Sequence, residues 1–452
     1  MKPSLGPAWE LCLRQGRAYI DRQVDAQPVC ALSAAEAVVL GLMDGTRTLD
    51  ALSELLTCAL GETGPQILHT LLTRVRPLLV DGPCRACPYS LECLSQVAPP
   101  DPQEGLRPLP GPRVLHWWVT SYCPRRCVYC FARPIFGGRA VDAILTREAL
   151  QRIFAEAASL GAEALLVAGA EPLLRDDLPE VLGDAVAQGI LPLLTTKHPI
   201  TLSLAQRFAQ AGVRHLSLSV DTMDEHENRT LIGSATYSLQ VRRSVQHLTR
   251  AGIAFSIQAV ATRLNPQSLH AVAAFAAEAG AQMLQVVPFE PVASPISQVS
   301  NHDMLLEHLA PLEEQVTLLA RQYPELRVEL FEKLGSGSRS DLHCDIGMTK
   351  LFFLPNGVVH RCYKLTHDDR LQGSDLRKVS VAAAWHDPGF RTLISPPREH
   401  YAGTDCYGCG RFSACHQEGR CIYQAWVSHA RYEARDRHCD GPYLTSLPVL
   451  AQ

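Results

Sequence analysis

Sixteen cysteines stand in a chain of 452 residues, and their spacing is the first chemical signal. Thirteen fall into three tight groups: Cys84, Cys87 and Cys93; Cys123, Cys127 and Cys130; and seven from Cys344 to Cys439. Only Cys12, Cys30 and Cys58 stand apart. The opening MKPSLGPAWELCLRQGR lacks the apolar segment of a secretory signal, so a reducing, cytoplasmic location is expected. In such a compartment, dense cysteine points to metal binding rather than to disulfides. CPRRCVYC at 123–130 sets three thiolates in one loop with C-x3-C-x2-C spacing. Three such ligands can hold three irons of a 4Fe–4S cube and leave the fourth iron open. A structural zinc is the alternative, and three thiolates without a fourth partner suit it poorly.

The elements around that loop alternate in type. Residues 113–120, 164–169, 190–196, 214–221, 254–262 and 281–289 read as short apolar strands. Amphipathic stretches lie at 146–159, 177–188, 203–211, 237–250 and 266–279. This alternation predicts βαβ units and a parallel sheet buried on both faces. Six units are too few to close an eightfold barrel, so the expected fold is α/β, a partial TIM-type barrel of six units. Its active site belongs at the C-terminal ends of the strands, and the three-thiolate loop directly follows the first of them.

Residues 99–112 (PPDPQEGLRPLPGP) hold six prolines in fourteen positions, which makes a stiff linker. Before it, 9–24 read as short strands, and 33–43, 48–60 and 64–79 as helices with Ser33 and Thr48 as N-caps. The expected division is a winged-helix-like unit at 1–82, a cysteine-containing linker at 83–112, the barrel at 113–335 and a cysteine-rich domain at 336–452. In the last, 351–363 read as a hairpin with Asn356-Gly357 as a two-residue turn. The remainder reads as loop-rich, without an ordinary core and held by metal. Formal charge is −4, from 42 basic and 46 acidic residues, which leaves no basic excess for nucleic acid. No apolar run approaches the length of a membrane-spanning helix.

With Tyr129 before its last cysteine, the C-x3-C-x2-C loop resembles that of the radical S-adenosylmethionine (SAM) superfamily. The resemblance implies that SAM chelates the open iron. One electron, from a donor such as flavodoxin or ferredoxin, then cleaves SAM to methionine and a 5′-deoxyadenosyl radical that abstracts hydrogen from substrate. Gly169-Ala170-Glu171-Pro172 resembles the GGEP element at the SAM amino group, with Ala in place of the second Gly. Ser217-Leu218-Ser219-Val220-Asp221 looks like the SxD element near the SAM ribose and carboxylate. His226 and Arg229 resemble a downstream His-x3-Arg element, one residue short, with Arg229 either a carboxylate partner or a solvated helix-end arginine. Phe289, after the sixth strand, is implied near adenine, and Asn265 ends the fifth; both also fit as core and turn residues.

The C-terminal cysteines carry a second resemblance. Cys344, Gly357-x4-Cys362, Cys406-x2-Cys409-x5-Cys415-x5-Cys421 and Cys439 resemble the SPASM domain of peptide-modifying radical SAM enzymes. Five residues separate Cys415 from Cys421 where the family has three. Two auxiliary iron–sulfur clusters are implied, one on Cys344, Cys362 and Cys421, the other on Cys406, Cys409, Cys415 and Cys439. The first has three evident thiolates, so His343, Asp345, His360, solvent or substrate would complete it. A zinc ribbon is the alternative. CRACPYSLEC, with Cys84, Cys87 and Cys93, repeats the C-x2-C-x5-C spacing and is a candidate third site for a cluster or zinc.

The first 80 residues resemble the peptide-recognition chaperone of pyrroloquinoline-quinone synthesis, through the start at Leu32-Ser33 and Glu36 and the turn from Asp44 to Leu49. That implies docking of a leader peptide as an added strand. The combined expectation is a radical SAM/SPASM maturase that cross-links, epimerises, or forms a thioether or C–C bond in a ribosomally made precursor peptide. One rival is a side-chain oxidase resembling the anaerobic sulfatase maturases, which place Asp where Tyr363 follows Cys362 here. The other is a non-catalytic iron–sulfur redox or scaffold protein, against which the two SAM elements speak.

Overall fold

The structure is a computed structural model that describes residues 2–6, 9–14, 17–22, 27–83, 89–96, 109, 111–130, 144–265, 267–289, 310–331, 344–417, 419–436, 439 and 441. Cys84, Cys87 and His343 lie outside the described residues. The chain divides into two compact units, Met1–Pro110 and Gly111–Gln452.

In the first unit, β1 (Pro3–Leu5) pairs antiparallel with β5 (Leu79–Asp81). Strands β2 (Trp9–Arg14), β3 (Arg17–Arg22) and β4 (Gln27–Leu32) form an antiparallel sheet in the order β2-β3-β4. Helices Ala34–Gly41, Leu49–Leu60 and Thr63–Val75 follow. Ser33 and Glu36 close a capping box over the first helix, and the Thr48 side chain accepts from Ala51 N at the second. The third helix ends at Val75, four residues short of expectation. Pro77 has no N–H to continue the α-helical ladder, so a 3-10 turn and β5 follow.

The second unit is built on one sheet. Its strands are β6 (Val114–Trp118), β7 (Ala164–Ala168), β8 (Leu191–Thr196), β9 (His215–Ser219), β10 (Ala254–Ala261), β11 (Met283–Pro288), β12 (Arg327–Leu330), β13 (Lys350–Phe353), β14 (Val358–His360) and β15 (Gln372–Asp375). The order is β12-β11-β10-β9-β8-β7-β6-β13-β14-β15. The six expected strands therefore lie side by side and parallel, as in a partial barrel. Two more extend the parallel run: β12 beside β11 and, from the cysteine-rich region, β13 beside β6. Strand β12 was not anticipated, because a four-residue strand leaves little periodicity; β13 was anticipated as the first strand of the hairpin, but not its pairing with β6.

The two faces of this sheet differ, which corrects the expectation of burial on both. On one, Leu115, Trp117, Leu165, Leu216, Ile257 and Leu284 are fully buried. Alternate residues on the other, such as Leu166, Ser217 and Gln285, are half-buried, and Leu191 and Leu193 are 59% and 42% exposed. A half-open inner face leaves room for a substrate.

Two expectations for the cysteine-rich region are corrected. The hairpin closes over three residues, Pro355, Asn356 and Gly357, since Leu354 N already bonds Val358 O. Pro355 suits a type I turn, and Gly357 takes the left-handed position at φ 87. The region also has a core: Leu365, Leu376, Trp385, Phe390 and Tyr401 are wholly buried.

Candidate functional site

The ends of β7, β8 and β9 bring Glu171, Lys197 and Asp221 to the three-cysteine loop that follows β6. After β6, the chain passes Cys123, Cys127 and Cys130. Helix Glu225–Ile232, which follows β9, anchors this loop: Val128 N donates to Leu231 O at 2.9 Å and Arg126 N to Ile232 O at 3.3 Å. Burial pushes the Cys127 thiol up to about 12, opposed by Lys197, with Cys130, Asp221 and Cys123 adding to the rise. Burial also raises Cys123. Each group is thus close enough to act on the others.

Gly169 ends β7 at φ 105. A Cβ there would lie 2.9 Å from Thr120 O, so only glycine fits. Ala170 does not share the left-handed conformation, which explains why it stands where the family has a second Gly. The turn aims Glu171 inward, 2% exposed. Its Oε1 accepts from Thr196 Oγ1 at 2.6 Å and Leu173 N at 3.1 Å, and its Oε2 from Lys197 N at 3.3 Å. Burial raises this carboxyl above the ordinary range, and the Thr196 bond opposes the rise.

Asp221, two residues past β9, is 1% exposed. It accepts from the Tyr129 hydroxyl and from Val260 N at 3.0 Å, and pairs with Lys197 Nζ at 3.2 Å. Lys197 also donates to Ser219 Oγ and lies 5.5 Å from the centre of the Tyr129 ring. Burial, then Asp221, raises the Tyr129 phenol well above its usual value, so it stays a donor. Asn265 is wholly buried and donates to Asp221 O at 2.9 Å. Phe289 is buried, its N donating to Ala261 O.

This arrangement of thiols, carboxylates and one cation can hold an iron cluster beside a ligand that carries both an amino and a carboxylate group. The radical SAM superfamily model matches residues 119–276, the segment that carries these groups. The chain carries a radical SAM domain. It is 26% identical over 346 residues to the mycofactocin maturase MftC of Mycolicibacterium smegmatis, covering 74% of this chain and 84% of that one. It is 25% identical over 336 residues to the PqqA peptide cyclase of Granulibacter bethesdensis, covering 71% and 85%. Streptococcus suis SuiB, solved with S-adenosylmethionine, superposes with a TM-score of 0.59 over 97% of this chain and 100% of its own. Its sequence identity is 19%, so that likeness speaks for the fold. SuiB bound to the precursor peptide SuiA gives 0.58 at 18% identity, with the same coverage.

Within the radical SAM domain, the residues singled out from sequence do not all share one site. Tyr129, Gly169, Ala170, Glu171, Ser219 and Asp221 are brought together with the three cysteines. Arg229 is exposed on helix Glu225–Ile232, as is His226. The buried polar residue of that helix is Asn228, which donates to Thr222 O and Ser238 Oγ. The cation beside the site is instead Lys197, which no motif spacing flagged. Its signal was a lone lysine directly after the end of the third strand.

The C-terminal cysteines form two further groups. Cys362 is buried and pushed up to about 12, by burial first and then by Cys421 and Cys344. Cys406 is raised by burial, with Arg420 opposing and Cys439 and Cys409 adding to the rise. Among the described residues, no three Cys, His, Asp or Glu side chains surround a single point as a one-ion site would need. A cluster asks less of them, because each thiolate binds its own iron. His360 does not stand ready as a ligand: Nδ1 accepts from Cys362 N at 3.2 Å and Nε2 meets Asp368 O at 3.2 Å. Asp345 is held by Lys350 at 2.8 Å. Of the N-terminal trio only Cys93 is described, exposed on helix Leu91–Ser95.

Proposed function

We propose that this protein modifies a ribosomally made precursor peptide by radical SAM chemistry. The observation that carries the reading is Glu171, Asp221 and Lys197 set around the three-cysteine loop, at the ends of strands whose inner face is half-open. Cys123, Cys127 and Cys130 hold the 4Fe–4S cluster. With SAM bound, that cluster supplies a 5′-deoxyadenosyl radical. Glu171 meets the SAM amino group and Lys197 its carboxylate, and Ser219 and Asp221 face the ribose. Phe289 packs near the adenine. Tyr129 and Asn265 hold Asp221 in place, so the pocket needs no rearrangement on binding.

The relatives named above as a maturase and a peptide cyclase, and a neighbour solved with its precursor peptide, support a peptide as substrate. The antiparallel sheet of the first unit supports a leader-docking role. Its outer strands β2 and β4 each have one edge without a strand partner among the described residues, where a peptide can add as a strand. Cys344, Cys362 and Cys421 hold one auxiliary cluster, and Cys406, Cys409, Cys415 and Cys439 a second. Clusters held there would supply an acceptor for the electron left on the substrate after hydrogen abstraction. Cys84, Cys87 and Cys93 would form a third auxiliary site, for a cluster or zinc. The electron would come from a donor such as flavodoxin or ferredoxin, and the expected location is the cytoplasm; no helix among the described residues is long and apolar enough to cross a membrane.

The test is anaerobic incubation of the iron-loaded protein with SAM and dithionite, alone and with the peptide encoded by a short reading frame beside the gene. Release of 5′-deoxyadenosine together with a mass change in the peptide is expected. Absence of deoxyadenosine under both conditions would overturn the reading.

A further inference from the structure

Two arginines in the C-terminal cysteine region are buried without a carboxylate partner in any of their hydrogen bonds. Arg361 is 1% exposed and Arg420 5%. Each directly precedes a cysteine, Cys362 and Cys421. Arg361 donates from Nη1 to Cys344 Sγ at 2.9 Å, from Nη2 to Arg420 O at 3.1 Å and from Nε to Leu393 O at 3.4 Å. Arg420 donates from Nη1 to the Tyr401 hydroxyl at 3.3 Å and from Nη2 to the Tyr432 and Ala434 carbonyls. Its Nε is buried with no partner among the described residues.

A guanidinium taken out of water costs several kcal/mol unless it meets negative charge. Carbonyls, a phenol and neutral thiols do not carry a full charge. Thiolates bound to iron do, and Arg361 donates to Cys344 Sγ, directly precedes Cys362 in sequence, and donates to the carbonyl of Arg420, the residue before Cys421. The residue is thus placed to stabilise whichever state of the site is more negative.

We propose that Arg361 is a positioning residue that raises the reduction potential of the cluster on Cys344, Cys362 and Cys421, with Arg420 fixing its orientation. The inference rests on the auxiliary-cluster reading above. Hydrogen bonds to cluster sulfurs and the net charge around them are what set such potentials. The step is a one-electron transfer in which the substrate radical is oxidised and the cluster reduced. No bond is made to the protein, and the guanidinium keeps its proton throughout.

The test starts from a chain with Cys84, Cys87, Cys93, Cys123, Cys127 and Cys130 all changed to Ala, in which only C-terminal iron remains. After anaerobic loading with iron and sulfide, its clusters are titrated with dithionite and followed by electron paramagnetic resonance. Arg361→Gln should shift the reduction equilibrium of one cluster at least tenfold toward the oxidised state, which is 59 mV for one electron. Arg361→Lys should fall in between, since an ammonium keeps the charge but cannot serve Cys344 and Arg420 O together. A glutamine variant with parental iron and parental potential overturns the proposal. Should the glutamine variant fail to load, the lysine variant decides: a lowered potential supports the proposal and a parental one overturns it. If the starting chain itself holds no iron and sulfide, the cluster reading fails, and the proposal with it.

Discussion

Lys197 joins the two acidic residues of the site. Its ammonium lies 3.2 Å from Asp221 Oδ2 while its backbone N–H donates to Glu171 Oε2 at 3.3 Å. The lysine side chain is 10% exposed and that of Asp221 1%, so the pair is shielded from salt and solvent. Three consecutive strands of the sheet, β7, β8 and β9, thus meet through one residue.

Removing that ammonium leaves a buried carboxylate without its charge partner and, on the proposed reading, deprives SAM of its carboxylate partner. Lys197→Met should lower the rate of SAM cleavage by about 10- to 100-fold, roughly 1.4–2.8 kcal/mol, and Lys197→Arg should recover part of it. Deoxyadenosine release and SAM affinity measure both. An unchanged rate in the methionine variant would place Lys197 outside the site.

Each of the three loop thiolates is needed to hold the cube. Cys123→Ala, Cys127→Ala and Cys130→Ala should each abolish deoxyadenosine production while C-terminal iron persists. Iron per chain and deoxyadenosine are read together. Continued SAM cleavage in any of the three would sink the assignment.

At the β7 turn, Gly169→Ala places a methyl 2.9 Å from Thr120 O at φ 105. A loss of about 1–3 kcal/mol is expected, with impaired SAM binding because Glu171 follows two residues later. Ala170→Gly should cost well under half of that, since no left-handed backbone is required there. Melting temperatures and SAM titrations of the two variants separate them, and equal losses would contradict the turn geometry.

A chain beginning at Gly111 keeps the whole second compact unit. It should cleave SAM unproductively and lose affinity for the leader of the peptide. Alanine variants of Cys84, Cys87 and Cys93 must be run beside it, because truncation removes them too. Full-length peptide modified with unchanged KM would show that the first unit does not dock the leader.

Much of the scaffold was legible because its signals are local. Helix caps at Ser33 and Thr48 depend on residues three apart, and the six barrel strands alternate with helices whose amphipathic spacing is regular. The cysteine spacings are equally local, since one loop must present several thiolates to one cluster. The hairpin failed at a finer level. Asn356-Gly357 reads as a two-residue turn, yet Pro355 before it admits a type I turn closed by a left-handed glycine, and only the pairing of Leu354 with Val358 distinguishes the two.

Chain order alone determined that a cysteine loop follows the first strand, that acidic residues stand past the second and fourth, and that two cysteine-rich segments flank the barrel. These are properties of residue type and short-range spacing. Tertiary structure decided which cation serves the site: Arg229 faces outward on its helix and Lys197 turns inward, although Arg229 lies much nearer to Asp221 in sequence than Lys197 does. It also decided that β13 joins the barrel sheet beside β6, across more than 230 intervening residues, and that Arg361 reaches Cys344 from beside Cys362. Such pairings depend on burial and on the register between distant strands. Those quantities are set by the packing of the whole unit, not by any window of sequence.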